Sequence, residues 1–327
     1  MPSSLVRRLS SPVCLGMLAM LVAWGAQSVS AISAAQAPSL EVRYRYAHVE
    51  GLNLFYREAG KPDAPTLLLL HGFPTSSHMY RNLIPLLAEH YHVIAPDYPG
   101  FGFSDSPSPD EFSYTFDHLT SVMESFIESL KLGPFSLYVQ DYGGPIGFRI
   151  ASHHPEWIQA LIIQNALAYT EGISPAFEAF QPFWEARNAT TEAPVRALLT
   201  RETTKFQYTQ GASDPAAISP DNWTFDQYFL DRPGNDVIQL DLFHDYPSNV
   251  VLFPTCQAYF RKSQPPTLIV WGENDPFFTV EGAKAFQKDL PQSKLKFYPT
   301  GHFALEEYGT DIAADILQFL EQHVQAD

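Results

Sequence analysis

The stretch that decides the fold is Phe135-Ser136-Leu137-Tyr138-Val139-Gln140-Asp141-Tyr142-Gly143-Gly144. An apolar, β-prone run ends at Asp141, with two glycines close behind. This predicts a strand that breaks sharply into a helix, with the Asp141 side chain lifted out at the turn. A hydroxyl in such a position makes acyl-enzymes from carbonyl substrates. A carboxylate there is suited to displacement at an sp³ carbon, giving an alkyl ester that water then hydrolyses. The plainer alternative is a helix N-cap, a position that aspartate favours.

Working outward, strand-like and helix-like segments alternate. Residues 41–48 and 52–57 form an alternating pair around Glu50-Gly51, the pattern of a hairpin. Apolar runs over 66–70, 92–96 and 160–164 predict buried strands, and residues 77–89, 114–132 and 144–153 have helical spacing. From about 169 to 261 the pattern breaks into helical fragments rich in aromatics, Pro, Thr and Asp, without a clear strand. It resumes with strands at 267–271 and 295–298 and a last amphipathic helix over 311–324. Such alternation predicts an α/β protein whose mostly parallel sheet is covered by helices on both faces. The expected division is a core over 38–168 and 262–327 with a helical lid over 169–261.

The chain has 327 residues and a formal net charge of −16. That balance argues against nucleic acid and anionic membrane surfaces as partners. Residues 1–37 begin with Arg7 and Arg8, continue through an apolar run from Pro12 to Ala26, and end in small residues. This is the pattern of a secretory signal, shorter than a membrane span, so an exported protein without a stable membrane partner is expected. Cys14 lies in that segment and Cys256 stands alone after it, which leaves no intramolecular disulfide and no cysteine metal cluster. Asn188-Ala189-Thr190 and Asn222-Trp223-Thr224 are glycosylation sequons.

Open α/β sheets carry their chemistry at the carboxyl ends of the strands. Four such ends are suggestive here: His71-Gly72-Phe73-Pro74, Asp141, Trp271-Gly272-Glu273-Asn274-Asp275 and Gly301-His302. Together with Asp97-Tyr98-Pro99-Gly100-Phe101-Gly102-Phe103-Ser104-Asp105, they resemble the epoxide hydrolase and haloalkane dehalogenase branch of the α/β-hydrolase superfamily. The resemblance covers about residues 45–320, in the order nucleophile, acid, histidine.

The resemblance implies that Asp141 attacks the substrate carbon and that His302 activates the hydrolytic water, with Asp275 orienting His302. The backbone N–H groups of Phe73 and Tyr142 would form an oxyanion hole. Glu273 competes with Asp275 as the acid, whereas Asn165, at the other strand end where some dehalogenases place an acid, cannot ionise. His71 reads as a structural loop residue. The implied reactants are a small apolar organic molecule and water, with no metal and no organic cofactor.

The leaving group is less determined. Dehalogenases usually place tryptophan after the nucleophile and often asparagine after His-Gly. Here these positions are Tyr142 and Phe73. Epoxide hydrolases use lid tyrosines to protonate the opening oxygen. Among Tyr169, Tyr208, Tyr228, Tyr246 and Tyr259, the candidates are Tyr208 and Tyr259. The expected activity is epoxide opening. The alternatives are dehalogenation with halide held by Trp184 or Trp223, and a non-catalytic binder of the same fold.

Overall fold

The computed structural model describes residues 41–324, so the expected export signal lies outside the described residues. Strands β1 (Arg43–Val49) and β2 (Leu52–Ala59) pair as an antiparallel hairpin. Both turn residues, Glu50 and Gly51, have positive φ, as a tight two-residue hairpin requires. Six further strands follow: β3 (Thr66–Leu70), β4 (His92–Pro96), β5 (Phe135–Gln140), β6 (Ile158–Gln164), β7 (Thr267–Gly272) and β8 (Lys294–Tyr298). The order across the sheet is β1-β2-β4-β3-β5-β6-β7-β8, and the six strands from β4 to β8 run parallel. Strands β3, β5 and β7 are almost wholly buried, which explains their continuous apolar runs.

Helices cover both faces. The segment 77–89, expected as one helix, is a 3₁₀ turn over Ser77–Tyr80 followed by the short α1 (Leu83–Leu87). Pro85 offers no N–H there, and the Ser77 N–H is already held by the Asp97 carboxylate at 2.7 Å. Helix α2 (Phe116–Ser129) starts at a Thr115 cap and buries Leu119, Val122, Met123 and Phe126. Helix α3 (Gly143–His153) leaves the end of β5 directly.

Between β6 and β7 the chain is helical: α4 (Gln181–Glu185), α5 (Ala189–Arg196), α6 (Arg201–Thr209), α7 (Asp221–Leu230), α8 (Asn235–Asp245) and α9 (Pro247–Ser263). Two further core helices follow, α10 (Val280–Ala285) and α11 (Leu305–His323), and the helical segment is fastened to α11. Arg81 donates to Glu306 at the start of α11 and to Asn222 on α7, and Asn222 also donates to Glu306 at 2.7 Å. Glu307 accepts the backbone N–H groups of Ser213 and Asp214. Asn222 is therefore a buried structural residue, whereas Asn188 of the other sequon is an exposed helix cap.

Packing is close where β3, β5 and α3 meet. A Cβ at Gly143 would collide with the Leu70 carbonyl, whereas one at Gly133 meets nothing within 4 Å. Gly143→Ala is expected to lower stability by about 1–3 kcal/mol, the ordinary effect of overpacking. Gly133→Ala should stay within about 0.5 kcal/mol of the parent. Denaturant unfolding of both variants checks this, and equal effects would contradict the close approach.

Candidate active site

Asp141 occupies the turn between β5 and α3 with φ of 50°, a left-handed conformation that is strained for a side-chain-bearing residue by about 1–3 kcal/mol. Its surroundings hold it there. Its N–H donates to the Asn165 carbonyl at 3.1 Å, and its carbonyl accepts from Gly144 at 2.9 Å. Gly72 lets the neighbouring loop lie against it, since a Cβ at Gly72 would overlap the Asp141 side chain.

The two carboxylate oxygens have different partners. Oδ1 accepts the Phe73 N–H at 2.6 Å, and the backbone N–H of Tyr142 also favours the charged carboxylate. Oδ2 lies 3.9 Å from His302 Nε2. Burial raises the Asp141 pKa, opposed by His302 and the two N–H groups, while the like charge of Asp275 adds to the rise.

His302 follows β8 and is buried. Its Nδ1 lies 2.6 Å from Asp275 Oδ2. Burial by itself would lower its pKa, but the charges of Asp275 and Asp141 outweigh it, and the net direction is upward. Asp275 is fixed in turn: Oδ1 accepts the N–H groups of Phe277 at 2.8 Å and Phe278 at 3.1 Å. Glu273, the rival acid, is exposed and makes no bond to His302.

Two amides complete the cluster, and neither role is visible in the sequence. Asn165, also at positive φ, donates to Asp275 Oδ2 at 2.7 Å and accepts the Gly272 N–H at 2.9 Å, so it ties the end of β6 to the end of β7. The sequence question was whether Asn165 could ionise, but its function here is to donate. Gln140, the last residue of β5, brings Nε2 to 2.8 Å from His302 Nε2. A polar residue closing an otherwise apolar strand was the available signal. His71 is structural, as expected. It is buried, its Nδ1 meets the Gly72 carbonyl, and burial drives its pKa down to about 3.

Above these groups lies a small cavity. Its walls are mostly aromatic: Phe73, Phe177, Phe180, Trp184, Phe243, Phe277 and Phe278. Asp141, Tyr142, Gln207, Tyr246 and His302 supply the polar atoms. Two expected substrate residues do not reach it. Tyr208 stacks on Phe303 at 4.0 Å and donates its hydroxyl to the buried carboxylate of Asp226, whose pKa burial pushes up to about 8. Tyr259 is buried beside Phe260 in the main core cluster, with its hydroxyl unpartnered there. Helix rotation explains the placement of Tyr208. On α6 it is Gln207 that faces the cavity, so the adjacent Tyr208 faces elsewhere.

The tyrosines that line the cavity are instead Tyr142 and Tyr246. Burial, then the nearby Asp141 charge, holds both pKa values well above the ordinary phenol value. The Tyr142 hydroxyl is buried without a hydrogen-bond partner. Trp184 also lines the cavity, but its indole N–H is spent on the Phe243 carbonyl at 2.8 Å. Trp223 is absent from the lining and packs near Tyr208.

The model of the α/β hydrolase fold family matches residues 65–308. An uncharacterized hydrolase of Saccharomyces cerevisiae is 39% identical over 84% of this chain and 95% of its own length. A haloalkane dehalogenase of Psychrobacter cryohalolentis is 27% identical over 83% of this chain and 88% of its own. Among solved structures, the epoxide hydrolase CorEH superposes with a TM-score of 0.70 at 20% identity, covering 86% of this chain and 99% of that one, a likeness of fold. With its sheet order, its strand-end residues and a family model spanning most of its length, the chain belongs to the α/β-hydrolase fold family, as a hydrolase related to the haloalkane dehalogenases.

Proposed function

We propose that this protein opens epoxides, or related sp³-carbon electrophiles, through a covalent alkyl ester on Asp141. One observation carries the reading: the turn presents a carboxylate whose Oδ1 is bonded by the Phe73 N–H while Oδ2 remains on the cavity side near His302. In the first step Oδ2 forms a bond to the substrate carbon and the ring C–O bond breaks. The released alkoxide takes a proton from the hydroxyl of Tyr142 or Tyr246. In the second step the Gln140 amide gives up its contact with His302 Nε2, and that nitrogen accepts a proton from water as the water bonds to Cγ of Asp141. Negative charge gathers on Oδ1, against the N–H groups of Phe73 and Tyr142. The Cγ–Oδ2 bond then breaks, His302 returns its proton to the departing oxygen, and a diol leaves. Asp141 is left as its carboxylic acid, and transfer of that proton to the phenolate restores both the ionised carboxylate and the phenol.

A halide leaving group is the second reading, favoured by the relationship to haloalkane dehalogenases. Against it, the cavity offers phenol hydroxyls, and its indole N–H is already bonded within the protein. The roles of Tyr208 and Tyr259 proposed from sequence pass to Tyr142 and Tyr246.

The covalent scheme fixes where oxygen goes. With His302→Gln, intact mass should rise by one epoxide, and peptide mapping should place the adduct on Asp141. In a single turnover of the parent in ¹⁸O water, the label should enter Asp141 and leave the diol unlabelled. Label in the diol from the first turnover would point to direct attack by water.

Removal of both hydroxyls, as Tyr142→Phe with Tyr246→Phe, should slow epoxide opening by about 10²-fold or more. Adduct formation from an alkyl bromide, which needs no proton, should be far less affected. The reverse pattern would favour the halide reading.

The acid limb of kcat/KM follows from signs. His302 must be neutral and Asp141 ionised, and both pKa values are raised. Activity should therefore fall as pH drops through a value above the ordinary histidine pKa, about 6.5. Asp275→Asn removes a charge that raises both groups, so the limb should move to lower pH while the rate falls. A limb that stays in place would show that Asp275 is not coupled to His302.

A further inference from the structure

Gln207 has no task in this scheme, yet it sits in the cavity wall with 5% of its surface exposed. Its Nε2 has no hydrogen-bond partner. A buried N–H without an acceptor is destabilising, so the acceptor is absent from the protein's own atoms. Its neighbours locate it. The Phe206 ring lies 6.2 Å from Phe277, and the Tyr208 ring lies 4.0 Å from Phe303. Both of those partner rings pack against the imidazole of His302, at 5.8 and 5.2 Å. Gln207 thus reaches the cavity from α6, on the side of the base.

Two acceptors are available in principle, the hydrolytic water and an oxygen of the substrate. The water must point a lone pair at Cγ of Asp141 and a proton at His302. An N–H bound to that oxygen would withdraw electron density from the atom that attacks. A donor in this position is better matched to an acceptor that does not react. The rest of the wall is aromatic or committed to the chemistry, so no other side chain competes for that acceptor.

We infer that Gln207 is a specificity-determining residue whose amide N–H donates to an ether or carbonyl oxygen carried by the substrate outside the epoxide ring. The inference rests on the reading of Asp141 as a nucleophile toward epoxides. It identifies the substrate class as epoxides bearing an oxygen substituent near the ring, and it disfavours purely hydrocarbon epoxides.

Butyl glycidyl ether and 1,2-epoxyoctane test this, because they differ only by an ether oxygen in place of one methylene. The ratio of their kcat/KM values is measured for the parent and for Gln207→Leu, which keeps the volume and removes the donor. Comparing ratios cancels the substrates' intrinsic reactivities. The ratio of ether to hydrocarbon should fall about tenfold in the variant, the size of one buried hydrogen bond. An unchanged ratio, or an equal slowing of both substrates, overturns the inference and leaves Gln207 with a structural or water-holding role. If the leucine variant does not fold, Gln207→Met gives the same ratio. The foundation is tested separately: if the parent turns over neither epoxide and His302→Gln traps no adduct, the reading of Asp141 fails and the Gln207 assignment falls with it.

Discussion

The structure depends on one constraint, a carboxylate buried in a left-handed turn with a different environment on each oxygen. Asp141 is 9% exposed. Water cannot share its charge, so the protein must. The Phe73 N–H bonds Oδ1, and the imidazole lies across from Oδ2. The close approaches at Gly72 and Gly143 bring the flanking strand near enough to supply that donor. Placing that donor a fraction of an ångström farther away would leave the charge underpaired in a low-dielectric site, where an unpaired charge is most unfavourable. Strain in the backbone and satisfaction of the carboxylate are therefore two aspects of one arrangement.

The second layer works through amides. Asn165 and Gln140 each end a strand and each touch the acid–histidine pair, one through Asp275 and one through His302. The alignment of β5, β6 and β7 thus determines side-chain positions at the site as well as backbone pairing. An error in sheet register would misplace Asp141, His302 and Asp275 together.

Much of this was legible in the sequence, for a specific reason. Asp141 and Asp275 each follow an apolar run that marks a buried strand, His302 follows the alternating edge strand β8, and their order along the chain maps onto positions in a parallel sheet. The hairpin and the strands at 66–70 and 92–96 were legible in the same way. The lid was not. Its helices have mixed polarity, and which side chain faces the cavity depends on rotation about each axis. A single residue separates Gln207 in the wall from Tyr208 against Asp226. Tyr246 sits at the junction of α8 and α9, where no periodicity identifies a facing direction. The segment 77–89 was misread because a proline and a tertiary bond to Asp97 override helical spacing.

The aromatic lining of the cavity has a consequence for how candidates are sorted before any bond changes. A molecule must leave water and dissolve among phenyl rings before it meets Asp141, so occupancy behaves like partitioning into oil. Each methylene transferred is worth about 0.8 kcal/mol, or roughly fourfold in occupancy, until the space is filled. Ions gain too little from the rings to offset lost hydration and are disfavoured. Selectivity thus arises in two stages of different character: the walls rank compounds by solubility, and only the few polar atoms at the floor and lid rank them by shape and chemistry.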